Sequence, residues 1–407
     1  MAAATNGAQI LSRWVLYSMM FFRNRLIYIR LHHMALGLFL ISGTHAGTVY
    51  AHDDSSQVSI SGDFRYRFEV IDKEAAPETR QRHRIRARFG LHAELTEESR
   101  FVIQLASGSD DLVSSNQTLS GAFSSKGIVL DLAYGQYRPI ALKQRVKFTA
   151  GKAPLLFFRP GETELLWDND LRPEGITASF HLSVGQVDVK VLGGAYVLEE
   201  RAEDDETYLR AGQLVISTEQ ISGVRLLKFG VGYFGFSGIA GRTPLFGDAF
   251  FGNSSYPDTT ILPGTPPDTL VTHRHATEYH EIEGFIQADL SLFRKPLLIM
   301  ADLVVNTDPD DNNVGWLVGF KLGEVKARGS WSLGFNTRRL ERDAVYAIFT
   351  DSNFGDGGSD SKGHEIKFSV GAMKDVKFSI SYFDNIQGLA NSNDYDRVMF
   401  DISSSFK

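Results

Sequence analysis

The sequence predicts an all-β chain, a transmembrane antiparallel β-barrel of about 16 strands with short periplasmic turns and long extracellular loops. Three observations predict it. Charged and apolar side chains alternate with period two from Gln57 to the C-terminus, the connections are alternately short and long, and the N-terminus has the character of an export signal.

The alternation is clearest from Arg82 to Leu95. Arg82, Arg84, Arg86, Arg88 and Glu94 fall on one face, and His83, Ile85, Ala87, Phe89, Leu91, Ala93 and Leu95 on the other. Successive strand side chains point to opposite faces, so this segment has a nearly pure hydrocarbon side and a row of guanidiniums. In a membrane barrel the first faces lipid and the second a water-filled lumen. Composition agrees: 38 Gly, 29 Phe, 14 Tyr and a mean hydropathy of −0.14 suit strands that are half polar. The chain has no Cys, which excludes a disulfide scaffold, a zinc–thiolate site and a cysteine nucleophile.

Residues 1–51 carry Arg13, Arg23, Arg25 and Arg30, no acidic residue, an apolar run from Met34 to Ser42, and small-residue cleavage sites ending at Ala46 and Ala51. That order predicts a signal peptide over 1–51, with cleavage after Ala46 or Ala51 and Met19, Met20 or Met34 as alternative starts. The run is too short for a membrane-spanning helix, which needs about 20 apolar residues. The expected mature chain, 52–407, is a single barrel. It keeps 38 of the 42 basic residues and all 49 acidic ones, a net charge of −11. An acidic chain whose basic residues are confined to particular strands, with no aromatic-basic module, argues against a nucleic-acid partner.

Strands are expected near 58–70, 81–95, 99–107, 128–138, 145–153, 175–183, 186–199, 206–217, 223–237, 278–292, 297–306, 312–322, 326–336, 363–372, 375–384 and 394–406. Thr96–Glu98, Pro139–Gln144, Val184–Gly185, Thr218–Ser222, Phe293–Pro296, Gly323–Val325 and Met373–Lys374 read as short turns on one side. Gly108–Gly127, Pro154–Glu174, Gly238–Thr277 and Thr337–Lys362 read as long loops on the other. A propeller would show a repeat of roughly 40 residues, and the chain has none. The last strands place Glu365, Lys367, Ser369, Lys377, Ser379, Ser381, Arg397, Asp401, Ser403 and Ser405 inward, charges that only a wet interior tolerates. Tyr66, Phe68, Tyr134, Tyr137, Tyr233, Tyr382 and Phe406 are candidates for interfacial aromatic girdles.

Five segments carry a family resemblance: RQRHRIRARFGLHAEL (Arg80–Leu95), ASGSDDLVSSNQTLSGAFSSKGIVLDLAY (Ala106–Tyr134), GETELLWDNDLRPEG (Gly161–Gly175), FTDSNFGDGGSDSKGH (Phe349–His364) and the terminal NDYDRVMFDISSSFK. Together they resemble the putative porins of Gram-negative outer membranes. The resemblance implies a passive outer-membrane channel, often a homotrimer, in contact with lipid and lipopolysaccharide. It also implies that the barrel-assembly machinery reads a terminal aromatic residue. Phe406 is the candidate for that signal, although Lys407 follows it, a departure from the usual aromatic end.

Asp63, Arg65, Arg67 and Glu69 share the inner face of the first strand, whose hairpin neighbour carries the ladder. Six arginines, Arg65, Arg67, Arg82, Arg84, Arg86 and Arg88, are therefore expected to form a pore-lining basic wall. Guanidiniums stay charged, so carboxylates or counterions must relieve their repulsion. The long loops offer Asp110, Asp111, Glu162, Glu164, Asp168 and Asp170. An inward fold of Pro154–Glu174 would set an acidic constriction against the wall, an arrangement that selects ions among small hydrophilic solutes. With an outward fold these carboxylates would face the lipopolysaccharide.

Other chemistry is poorly supported, and neither a metal nor a cofactor is expected. His273, His275 and His280 with Glu278 and Glu281 lie in or beside a Pro/Gly-rich loop and read as solvated. Asn306 to Asn313 lacks the glycine and terminal glutamate of an EF-hand and reads as a polar turn. No Gly-x-Ser-x-Gly elbow stands beside a histidine, so no catalytic residues are assigned. A lipase- or protease-like barrel enzyme and a plugged structural or adhesin barrel are the alternatives to a channel.

Overall fold

The computed structural model describes residues 57–406 apart from 202–205, 220, 248 and 264–267. The expected signal peptide lies outside the described residues. In chain order the strands are β1 (Gln57–Lys73), β2 (Arg80–Glu94), β3 (Ser99–Ser107), β4 (Gln117–Thr118), β5 (Ile128–Tyr137), β6 (Val146–Lys152) and β7 (Glu174–Val184). They continue with β8 (Val187–Glu199), β9 (Thr207–Thr218), β10 (Leu226–Ser237), β11 (Ser255–Leu262), β12 (Asp268–His275) and β13 (His280–Leu292). The last six are β14 (Lys295–Asn306), β15 (Val314–Gly323), β16 (Trp331–Leu340), β17 (Ser361–Met373), β18 (Val376–Gln387) and β19 (Asn393–Phe406).

Among the described residues, sixteen of these strands pair antiparallel with a neighbour on each side, and β19 returns to β1 in the register Gly62↔Phe406 to Lys73↔Tyr395. Closure leaves no strand edge among the sixteen, which a hydrocarbon solvent requires because it cannot hydrogen-bond an edge. The exceptions are β4, which extends the pairing of β2 at Arg84↔Thr118, and the β11–β12 hairpin, a sheet of its own inside the 238–279 connection.

Every expected strand is present, with ends shifted by a few residues. One end of the barrel is joined by tight links, among them 185–186, 293–294 and 374–375, and the other carries 108–127, 153–173, 238–279 and 341–360. In the 293–294 link both Phe293 and Arg294 have positive φ, which gives a two-residue turn the twist its strands need. The expected Thr337–Lys362 loop is shorter than read, because β16 continues to Leu340 and β17 begins at Ser361.

The outer face is apolar along its length. Phe229, Val231, Ile282, Ile286, Ile299, Leu303, Val318, Ile366, Phe368, Phe378 and Ile380 are exposed there, each alternating with an inward residue. Tyr134 departs from the expected girdle: it is buried beside Val102 and Leu132, and its register partner is Val102.

The inner face is not uniformly polar, and this corrects the simplest expectation. Leu192, Tyr196, Leu209, Phe234, Met300, Val304, Leu317 and Leu340 also point inward, and they are buried. They pack against Phe157, Leu165, Leu166, Trp167 and Leu171 of the 153–173 loop and against Ala344, Val345, Tyr346, Ile348 and Phe349 of the 341–360 loop. Aromatic rings dominate the contact, with Phe157 and Trp167 each edge-on to Phe234 at 5.0 Å. Two loops thus fill the lumen beside β8 to β16, while β1 and β2 keep polar inner faces and, further round, Phe383 of β18 and Met399 of β19 pack on Phe354 among polar neighbours.

Candidate pore constriction

The arginines of β1 and β2 meet their counter-charges first within the sheet. In the β1–β2 register Asp63 lies opposite Arg88 and Glu69 opposite Arg82, and in the β1–β19 register Arg67 lies opposite Asp401. All three pairs form ion pairs: Arg88–Asp63 at 2.6 Å, Arg82–Glu69 at 2.5 Å and Arg67–Asp401 at 2.7 Å. Directly opposed residues are the natural contacts of a sheet, and opposite charges there are favourable. The same register sets Arg65 against Arg86 and Arg67 against Arg84, which would repel. Diagonal contacts relieve them: Arg86 reaches Asp63 at 2.9 Å and Arg84 lies 3.7 Å from Glu69.

Glu69 is fully buried and also pairs with Arg397 of β19, so three guanidiniums surround one carboxylate. Arg67 makes a two-pronged contact with Asp401, Nε at 2.7 Å and Nη2 at 2.9 Å. Such forked geometry fixes the guanidinium plane, which a lysine could not do. Arg65 donates to Asn116 Oδ1 at 2.6 Å, and Arg84 to Ser114 Oγ at 3.2 Å, both acceptors lying on the 108–127 loop.

The 153–173 loop crosses from β6 to the far wall and back. Phe158 exchanges backbone hydrogen bonds with the Gln213 side chain on β9, at 2.7 and 2.9 Å. Gly161 N–H donates to Gln287 Oε1 on β13 at 2.9 Å. A side chain at Gly161 would meet Met300 Sδ at 3.0 Å with φ at +63°, so the turn needs glycine there. On the return, Asp168 N–H donates to Phe349 O at 2.7 Å, and Asp170 comes within 3.4 Å of Arg86 and 3.5 Å of Arg88. Arg172 then pairs with Asp131 on β5 at 3.2 Å.

Of the six carboxylates expected to oppose the ladder, Asp170 alone forms an ion pair with it. Burial opposes the charge of Asp170, but Arg86, Arg88, Arg65 and Arg172 outweigh it and hold the carboxyl below its usual range. Asp110 and Asp111 are exposed, and Asp111 accepts from Val113 N–H at 3.1 Å. Glu162 is exposed at the turn beside Gly161, within electrostatic range of Lys377 on β18. Glu164 and Asp168 turn away from the ladder and meet Asp351 of the 341–360 loop, their oxygens within 4.8 Å of one another. They could hold a cation, and a protein cation is already there: Arg338 of β16 pairs with Asp351, donates to Glu164 O at 3.1 Å and lies 3.6 Å over the Phe354 ring.

Sequence reasoning missed Arg338 and Asp351. The signal was the pair of segments Gly161–Gly175 and Phe349–His364, which were singled out separately and meet in space. The histidines do not converge: His280 pairs with Asp308, and His275 is buried between Phe250 and Tyr346. The Asn306–Asn313 turn is closed by its own amides, with Asn313 Nδ2 donating to the carbonyls of Asn306 and Pro309.

Comparison with known proteins follows the same geometry. A family model described as putative porin matches residues 54–258 and 277–406. The chain belongs to the putative-porin family. The stretch this porin carries beyond the family pattern, 259–276, holds most of the β11–β12 hairpin. Among solved structures it is similar to the high-pH structure of Pseudomonas putida OprB, at 11% identity, with 86% of this chain and 94% of that one covered and a TM-score of 0.55. A loop-deletion mutant of OmpT from Vibrio cholerae is also similar, at 9% identity, with 87% and 100% covered and a TM-score of 0.48. No curated protein matches it by sequence. Family and barrel together make this porin an outer-membrane channel, and they point away from an enzyme.

The loop junction of this porin gathers three carboxyl groups whose charges burial disfavours. Burial and the neighbouring carboxylates of Asp351 and Asp170 push the Asp168 carboxyl up to about 7. Burial, with Asp168 and Asp351 beside it, likewise holds Glu164 well above the usual carboxylate range. Burial works against Asp351 too, but the Arg338 guanidinium keeps it below that range. The docked loops thus favour protonated Asp168 and Glu164. The stabilisation is complete below the ordinary carboxylate pKa of about 4 and is lost as pH rises through about 7. Single-channel current is expected to be quieter at pH 5 than at pH 8. Asp168→Asn should flatten that difference, and an unchanged pH dependence in this variant would exclude the junction as its source.

Proposed function

We propose that this porin is a passive, water-filled channel for small hydrophilic solutes and ions. Its narrow part lies between the 153–173 loop and the arginine wall, and it prefers anions. The observation that carries the proposal is the contact of Asp170 with Arg86 and Arg88, which brings an inward loop against the ladder. The wall is partly neutralised: Arg65, Arg67, Arg82, Arg84, Arg86, Arg88 and Arg397 stand with the four carboxylates Asp63, Glu69, Asp170 and Asp401. A positive surplus remains on an otherwise acidic chain. Opposed charges at a constriction orient dipolar solutes and favour the counterion of the surplus.

The N-terminal 51 residues act as the export signal in this proposal, and Phe406 serves as the assembly signal. Phe406 is half exposed on the outer face, with its ring over Gly62 of β1 at the barrel seam. Planar-bilayer recording of the purified, refolded protein tests the reading. Stepwise ohmic current is expected, whereas a lumen sealed by its loops would give none.

A further inference from the structure

The lysines of the lumen are arranged differently from its arginines. Lys147, Lys190, Lys228, Lys321, Lys367 and Lys377 lie on inward strand positions, five of them within a few residues of the short turns. None forms an ion pair or hydrogen bond with another described residue; the one close contact is Lys228 Nζ, 4.9 Å over the Phe158 ring. The ladder is held by carboxylates, but these ammonium groups are available to a solute.

Two of them line a recess. Lys190 and Lys228 share a cavity of about 220 Å³ with Ser217, His181, Asp188 and Phe158, floored in part by Val215. The sheet register explains the cluster. Lys190 lies opposite His181 on β7 and Val215 on β9, while Ser217 lies opposite Asp188 on β8 and Lys228 on β10. The roof is Phe158, fixed by its paired hydrogen bonds to Gln213 and its ring contact with Phe285 at 5.3 Å. His181 and Asp188 face each other at 3.5 Å, so Asp188 has its own partner and the ammonium groups do not.

Resting on the channel reading above, we propose that this recess is a solute subsite on the turn side of the loop, selective for small carboxylates with an apolar body. Lys190, Lys228 and the Ser217 hydroxyl would receive the carboxylate, and the Phe158 ring and Val215 the hydrocarbon. Two ammonium donors and a hydroxyl match the acceptor set of a carboxylate. The size suits a small solute, since drug-sized ligands occupy about 300–1,000 Å³. The subsite would hold such a solute beside the loop and raise its local concentration, as charged clefts do.

Benzoate is the probe, with benzyl alcohol as its neutral counterpart, in planar bilayers containing the full refolded chain in chloride. Benzoate added on the turn side is expected to reduce chloride current saturably, and benzyl alcohol is not. Lys190→Gln with Lys228→Gln should raise the half-blocking benzoate concentration by about tenfold, the scale of losing a charge-assisted contact. Lys321→Gln with Lys377→Gln, away from the recess, should leave it within about twofold. Current in the unmutated protein with no saturable benzoate block, or block unchanged in the Lys190/Lys228 variant, would overturn the subsite and leave the channel standing. An absence of current in the unmutated protein would overturn both.

Discussion

Arg84→Glu combined with Arg86→Glu is expected to lower the anion preference of the pore by about tenfold, a change of about 1.4 kcal/mol in relative barrier, and to carry its selectivity toward cations. Arg86 now touches Asp63 and Asp170, and Arg84 lies near Glu69. Carboxylates at positions 84 and 86 would stand against those same groups. Unit charges 4 Å apart repel by about 4 kcal/mol at an effective dielectric of 20, enough to push Asp170 and its loop off the wall. Conductance should therefore rise while selectivity falls. Arg84→Gln with Arg86→Gln removes the attraction without the repulsion and should give the selectivity change with less of the conductance change. Selectivity that is unaltered in the charge-reversed protein would exclude a role for the arginine wall.

Arg338→Ala is expected to have the largest effect on the loops. Arg338 and Asp351 are 3% and 4% exposed, and breaking such a pair from one side typically costs about 3–5 kcal/mol because a buried charge is left alone. Here the orphan would be Asp351, buried beside Glu164 and Asp168. The junction would lose the ion pair to Asp351 and the bond to Glu164 O, and the apolar cluster the two loops share would open more often to water. Faster hydrogen exchange at Leu165–Trp167 and Ala344–Phe349, together with larger and noisier single-channel currents, would report it. Replacing both partners, Arg338→Met with Asp351→Leu, should recover much of the protection, since apolar substitutes often equal a buried pair. Protection unchanged in Arg338→Ala would show that the apolar contacts alone hold the loops.

The strands were legible because period two is a property of the backbone and lipid enforces it strand by strand. Glu365, Lys367 and Ser369 against Ile366 and Phe368 could be assigned to faces without knowing any neighbour. The contents of the lumen were less legible. Leu192, Phe234 and Leu317 point inward like the polar residues of other strands, and only the loops that cover them explain their presence. The hint was in the loops: Leu165–Trp167 and Ala344–Phe349 are apolar runs in long connections, where exposed hydrocarbon needs something to bury against.

Counter-charges were sought in the loops because four arginines in one strand look unpaired in one dimension. Asp63, Glu69 and Asp401 answer most of them across strands, through a register that hydrophobic patterning fixes only once the neighbours are known. Lys367 and Lys377 could be assigned to inner faces one by one, but the lysines as a group escaped notice for the opposite reason. Most of their strands carry a single inward one near a turn, so each looks like ordinary solvated surface until closure gathers them on one side of the loop.

The reversal potential of the unmutated channel in a potassium chloride gradient tests the central claim most directly. Overall charge and wall charge make opposite predictions here, since the chain beyond residue 51 carries a net −11 while the proposed constriction sets seven arginines against four carboxylates. A potential displaced toward the chloride equilibrium value is the predicted result. A potential displaced toward the potassium value, or the absence of current, would contradict the account.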